Sequence, residues 1–165
     1  MNSLAIRHAA PEDATSLARL LSQLGYPTEA AAIPERLTRL RSRPGTAVLV
    51  AELAGRAVGV VTVHLFDTMH TNEPAAWLTA VVVDEDVRGE GVGSALVKRA
   101  EQWAMEHGAH TVSLTSALRR KEAHEFYMNR GYEHTGVRLS RKLRQNVASP
   151  SDKFAADPSP TTQTT

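Results

Sequence analysis

Arg88-Gly89-Glu90-Gly91-Val92-Gly93-Ser94 is the stretch whose residue types and spacing best suit chemistry. Three glycines alternate where a helical pattern begins, so side chains are absent and several backbone N–H groups can point at one place. The first N–H groups of a helix have no internal partner, and the macrodipole adds partial positive charge there. Phosphate is the natural guest of such a corner. A plain tight turn would also use these glycines. A dinucleotide fingerprint fits poorly: the third glycine comes one residue early, Ser94 stands in its place, and about twenty residues on the chain reads Ser113-Leu114-Thr115, without an acid for a ribose. A Walker loop is ruled out by the lack of a following Gly-Lys-Ser/Thr. A pyrophosphate cradle of another type remains.

The corner is set between two regular elements. Before it, Val81-Val82-Val83 is an apolar, β-branched run suited to a buried strand. After it, Val92, Ala95, Leu96, Ala100 and Trp103 recur at helical spacing, predicting a helix from Gly91 to His107 that Gly108 ends. Upstream, Leu4–Arg7 alternates as a first strand. Pro11-Glu12-Asp13 opens a helix with a stripe of Ala14, Leu17, Leu20, Leu21 and Leu24, closed by Gly25. Thr28 is expected to cap a second helix, Glu29 to Ser42, which Pro34 should kink or split. Thr46–Leu53 and Arg56–Phe66 form a hairpin about Ala54-Gly55. Asp67–Pro74 is a polar loop, Trp77–Val83 a central strand, Thr111–Thr115 a short one, and Arg120–Asn129 a helix. Tyr132–Gly136 and Val137–Leu143 complete the expected strands. Strands alternate with helices in the middle and pair as hairpins at the ends, which predicts an α/β fold on a mixed sheet.

The 165 residues are 42% hydrophobic and 22% charged, ordinary for one globular domain with a real core. With no cysteine, disulfides, cysteine-based metal sites and a cysteine nucleophile are excluded. A net charge of +1 offers no field for nucleic acid, and no apolar run reaches the ~20 residues of a membrane span. The amino terminus lacks the apolar core of a signal peptide, so a cytoplasmic location is expected. From Gln145 onward Ser, Thr, Pro and Asp dominate, and residues 145–165 are expected to form a disordered tail after a domain spanning 1–144.

Arg88-Gly89-Glu90-Gly91-Val92-Gly93 after a strand resembles the Arg/Gln-x-x-Gly-x-Gly/Ala signature of the GNAT acetyltransferase superfamily. Ala123–Tyr132 resembles that family's helix-to-strand segment, with Tyr127 four residues before Gly131-Tyr132. The resemblance covers about Leu4 to Leu143. It implies the GNAT fold, a sheet of about 6–7 strands flanked by about four helices, and acetyl-coenzyme A as donor. It also implies that main-chain groups of Val81, Val82 and Val83 hold the pantetheine arm, while Arg88, Gly89, Glu90, Gly91, Val92, Gly93 and Ser94 hold the pyrophosphate. Tyr127 becomes the expected general acid and a coenzyme A contact. His124 is either a further contact or a solvated helix residue. Arg119-Arg120-Lys121 either meets the ribose 3′-phosphate or is ordinary surface.

The base is less clearly marked. A protonated alkylamine, with a pKa near 10.4, must lose a proton before it attacks. Many relatives carry Glu on the central strand where this chain has Thr79, which cannot serve. His64 and Glu73 are the candidate bases, with a water chain or an already partly neutral acceptor as the alternatives; His64, Asp67 and His70 also have residue types for a metal, but no metal is expected. His107 and His110 suit a helix terminus.

The expected function is N-acetyl transfer to a primary amine of a small molecule by direct attack in a ternary complex. The alternatives are a protein N-terminal or lysine acetyltransferase and a noncatalytic acyl-coenzyme A sensor. The expected partners are a small amine acceptor and a second copy in a homodimer, without nucleic acid or membrane.

Overall fold

The computed structural model describes residues 3–143. These fall into two compact units, one ending at Phe126 and one starting at Tyr127. The expected 144/145 boundary and the expected tail lie outside the described residues.

The first unit is built on a five-stranded sheet in the order β1-β2-β3-β4-β5. The strands are β1 (Ala5–His8), β2 (Thr46–Leu53), β3 (Arg56–Phe66), β4 (Ala75–Val83) and β5 (Thr111–Leu114). The first four pair antiparallel and β5 joins β4 in parallel. The helices are α1 (Ala14–Leu24), α2 (Ile33–Arg41), α3 (Val92–Glu106) and α4 (Lys121–Met128). The sheet is thus mixed, as expected, but smaller than the 6–7 strands expected.

The shortfall lies at 132–143, where no strand forms. Val137, Leu139 and Leu143 keep the two-residue alternation but are exposed. An alternating pattern becomes a strand only where a neighbour supplies the ladder and the covering face, and among the described residues none does. In this second unit, Arg130 and Tyr132 N–H groups both donate to the Tyr127 carbonyl, closing the end of α4.

Both faces of the sheet are covered, which is why β3 reads as one apolar run, buried from Ala57 to Val63. On one face, α1 and α2 pack Leu17, Leu20, Ile33 and Leu37 against Val48, Val50, Val60 and Val82. On the other lies α3: a Cβ built on Gly59 would sit 2.7 Å from Leu96 Cδ1 and 3.2 Å from the Val82 carbonyl oxygen. Glycine at 59 lets that helix approach the sheet. Leu20, Leu49, Leu78 and Leu96 are fully buried, each contributing roughly 1.5–3 kcal/mol.

Local chemistry sets the helix ends. Pro11–Asp13 forms a 3-10 turn leading into α1, and Gly25 ends α1 at φ 105°. Pro34 splits the second helix as expected, leaving a 3-10 turn at Ala30–Ala32 before α2. Thr28 does not cap it; its hydroxyl donates to the Tyr26 carbonyl instead. Asp13 accepts both terminal nitrogens of Arg7 at 2.8 Å and the Ala10 N–H, while Arg7 Nε meets Glu52 at 2.5 Å. The guanidinium holds the Asp13 carboxyl below its usual range and ties β1 to β2. No helix among the described residues is long and apolar enough to cross a membrane.

Candidate functional site

Pairing between β4 and β5 runs from Ala75↔Thr111 to Leu78↔Leu114 and stops. β4 continues through Val83 with β3 as its one partner strand. Its register on β3 also slips: Val60 faces Val82 and Thr62 faces Thr79, so one extra residue is held in β4. Ala80 takes up the extra length at φ 51°, a left-handed conformation that alanine adopts at a cost. Past the bulge, the Asp84 N–H donates to Val58 on β3 at 2.8 Å. Alternation then turns the Val83 N–H and C=O toward the side β5 has left, where the Val83 carbonyl accepts Arg88 Nε at 3.1 Å.

That open edge leads to the glycine corner. Gly89 and Gly91 adopt φ 85° and 82°, and Gly91 is the residue before the first turn of α3. A Cβ on either would meet nothing within 4 Å. Backbone conformation, not crowding, therefore demands glycine there, and the bare main chain faces open volume. The first α3 bond runs from the Ala95 N–H to the Gly91 carbonyl at 3.0 Å, so the N–H groups of Val92, Gly93 and Ser94 precede the ladder. Arg88, Glu90 and Gly91 are exposed, whereas Val82 and Val92 are buried and contribute packing. Phe126 of α4 closes the corner's inner side, its Cζ lying 3.6 Å from where a Gly93 Cβ would be. The corner thus fits an extended, phosphate-bearing ligand.

Beneath it, Asp84 is nearly fully buried. It accepts Arg19 of α1 at 3.1 Å and the Asp86 N–H at 3.3 Å, and lies 3.7 Å from Arg56.

On the other side of the bulge is a cavity of about 200 Å³ between the sheet and α1 and α2. Val60, Thr62 and His64 reach it from β3 at two-residue spacing; Ile33, Arg36, Leu37 and Leu40 reach it from α2 at helical spacing. Thr79 and Ala80 both line it, as adjacent residues can at a bulge. A second recess of about 320 Å³ shares Leu21, Arg36, Thr79 and Ala80 with the first and extends it to Leu24 and Tyr26. His64 joins three strands: its Nε2 lies 3.1 Å from Thr79 Oγ1 on β4 and its Nδ1 3.3 Å from Thr46 Oγ1 on β2. Burial, reinforced by the charge of Arg43, pushes the imidazole pKa below its ordinary value near 6.5. At neutral pH the ring is therefore uncharged and able to accept a proton.

Other candidates lie elsewhere. Glu73 is exposed in the loop before β4, whereas Thr79 sits in the middle of that strand, and Glu73 lines neither recess. Asp67 and His70 are exposed in the same loop. No group of three or more metal-ligating side chains converges among the described residues. His107 stacks on Trp103 at 4.1 Å, and His110 Nδ1 lies 2.9 Å from the Pro74 carbonyl oxygen. His124 is half-buried on α4, and its N–H donates to Arg120. In the second unit, Tyr127 is buried and meets Tyr132 edge-on, ring centres 5.4 Å apart.

Two features escaped the sequence reading. The contact between His64 and Thr79 was available from hairpin register, since a loop over 67–74 pairs His64 with Trp77 and leaves Thr79 as its diagonal neighbour on the same face. Arg36 was signalled by its place on an otherwise apolar stripe of α2.

Comparison with known proteins agrees with this geometry. The chain is 27% identical over 139 residues to the aminoalkylphosphonate N-acetyltransferase of Salmonella typhimurium, covering 84% of this chain and 90% of that one. Among solved structures it resembles a transcriptional regulator from Bacillus halodurans, with a TM-score of 0.76 at 23% identity over 84% of this chain and 100% of that one. It also resembles glucosamine-6-phosphate N-acetyltransferase from Arabidopsis thaliana, with a TM-score of 0.76 at 22% identity over 86% and 99%. The model of the acetyltransferase (GNAT) family matches residues 14–132, from the first turn of α1 to just past α4. This chain belongs to the GNAT family and is an acetyltransferase.

Proposed function

We propose that the protein transfers an acetyl group from acetyl-coenzyme A to a primary amine of a small molecule, by direct attack with both substrates bound. The observation that carries this reading is the departure of β5 from β4 at Leu78, which leaves an open strand edge leading to the glycine corner. When bound there, acetyl-coenzyme A supplies the acetyl group as a thioester. Main-chain groups of Val81 to Val83 take its pantetheine arm, as a partner strand would. Amides from Arg88 to Ser94 take its pyrophosphate, and His124 is a further contact.

The acceptor amine lies in the cavity beside the bulge. His64, uncharged at neutral pH and positioned by Thr46 and Thr79, first takes the proton of the bound ammonium, freeing the lone pair that forms the C–N bond; a second N–H proton leaves the adduct as the C–S bond breaks, matched by the one the sulfur receives. Thr79, where relatives carry a carboxylate, orients the imidazole. The Tyr127 hydroxyl returns a proton to the departing sulfur; a phenol near pKa 10 facing a thiol near 8.5 requires a dry site, which raises the basicity of the thiolate. A covalent acetyl-enzyme is not invoked, since no cysteine is available.

The test combines calorimetry with acetyl-coenzyme A and a thiol-release screen over primary amines. Saturable donor heat and turnover of a small amine, lowered at least tenfold in Tyr127→Phe, are expected. Tight donor binding with no amine consumed would favour a binding module. Absence of donor heat would remove the reading altogether.

A further inference from the structure

Arg36 differs in setting from the arginines that pair with acids. Arg7 engages Asp13 and Glu52, Arg19 and Arg56 flank Asp84, and Arg99 reaches Glu106. Arg36 is half-buried and lines both recesses, yet has no acidic partner within 4 Å among the described residues. Its one hydrogen bond, to Thr28 Oγ1 at 3.3 Å, is long and engages one of its five N–H donors. No Asp or Glu lines either recess. A second cation reaches the outer rim, where Arg120 Nη2 donates to the Leu24 carbonyl at 2.5 Å. Arg43 adds positive potential at the His64 end.

A half-buried guanidinium without a counter-charge, on a wall otherwise made mostly of leucine and isoleucine, calls for an anion. We infer that the acceptor is a short primary amine carrying an oxyanion, a carboxylate or a phosphonate, which Arg36 binds while the amine faces His64 and Thr79. This rests on the acetyl-transfer reading above and names its substrate class. A polyamine would bring positive charge toward Arg36, and a neutral amine would leave the guanidinium without a partner.

The test is a matched set of short primary amines: β-alanine, 2-aminoethylphosphonate, ethanolamine, propylamine and 1,3-diaminopropane, each followed by thiol release from acetyl-coenzyme A. At least one of the two anionic amines should exceed the neutral and cationic ones in kcat/KM by roughly 10–100-fold, as expected for a charge-assisted pair. The better of the two identifies the oxyanion. Arg36→Gln should remove that preference chiefly through KM, and Arg36→Lys should retain part of it. Arg39→Gln, on the exposed side of the same helix, should leave it intact. Thermal melting checks that each variant folds. The assignment is overturned, with acetyl transfer left standing, if neutral or cationic amines are preferred or if folded Arg36→Gln keeps the anion preference. If acetyl-coenzyme A binds and no amine is consumed, both fall together.

Discussion

Ala75–Leu78 and Thr79–Val83 are consecutive halves of β4, similar in composition and opposite in circumstance. The first half has partner strands on both sides, and Ala75, Ala76 and Leu78 are buried. The second half has one partner strand, a residue in the left-handed region and a slipped register. Hydrogen bonding is completed within the sheet in one half and left open along one edge in the other. Stability and chemistry are thereby separated along a single strand: what the second half lacks in sheet partners it can offer to a ligand.

Substitutions should expose that separation. The largest effect is expected from Leu78→Ala, which removes a fully enclosed side chain and should lower unfolding free energy by about 3 kcal/mol in urea. Donor affinity per folded molecule should hold; a loss well beyond the unfolded fraction would break the contrast. Next comes His64→Gln, facing the second half, with an expected drop of roughly hundredfold in kcat/KM and little change in urea midpoint. The pH profile sharpens it. Because burial and Arg43 lower the His64 pKa, wild-type kcat/KM should stay high down to pH 6.5 and fall on an acid limb centred below that value. The limb should vanish in the variant; an unaltered limb would assign proton removal elsewhere. The smallest change belongs to Ala80→Gly. Relief of a left-handed alanine and the added freedom of the unfolded chain nearly cancel, leaving stability within about 0.5 kcal/mol. A much larger loss would mean that the alanine methyl, rather than the backbone conformation, holds the bulge.

The sequence was informative wherever the determining interaction is local. Gly89 and Gly91 need positive φ, Gly25 ends α1, Pro34 breaks the second helix, and Ala54-Gly55 turns the hairpin with both residues at positive φ. The stripe of α3 was readable for the same reason. It was uninformative where a distant partner decides. Residues 132–143 alternate like a strand yet find no ladder, and Thr28 looks like a cap but bonds backward to Tyr26. The bulge left no trace either, because Ala80 sits in a run of ordinary strand formers and its conformation comes from register with β3. At the site, the glycine turn ahead of α3 was legible from residue type and spacing alone. The cavity was only partly so: the hairpin brings His64 near Thr79, but Arg36 joins them only when α2 is laid over the sheet.

Asp84 has a mechanical consequence. A single enclosed carboxylate grips Arg19 from the helix above the cavity and the amide of Asp86 from the turn that leads to the glycine corner. Two walls, one of the cavity and one of the glycine corner, are braced to one post. Their relative placement is set when the chain folds, so little ordering of either is left for the moment a guest arrives.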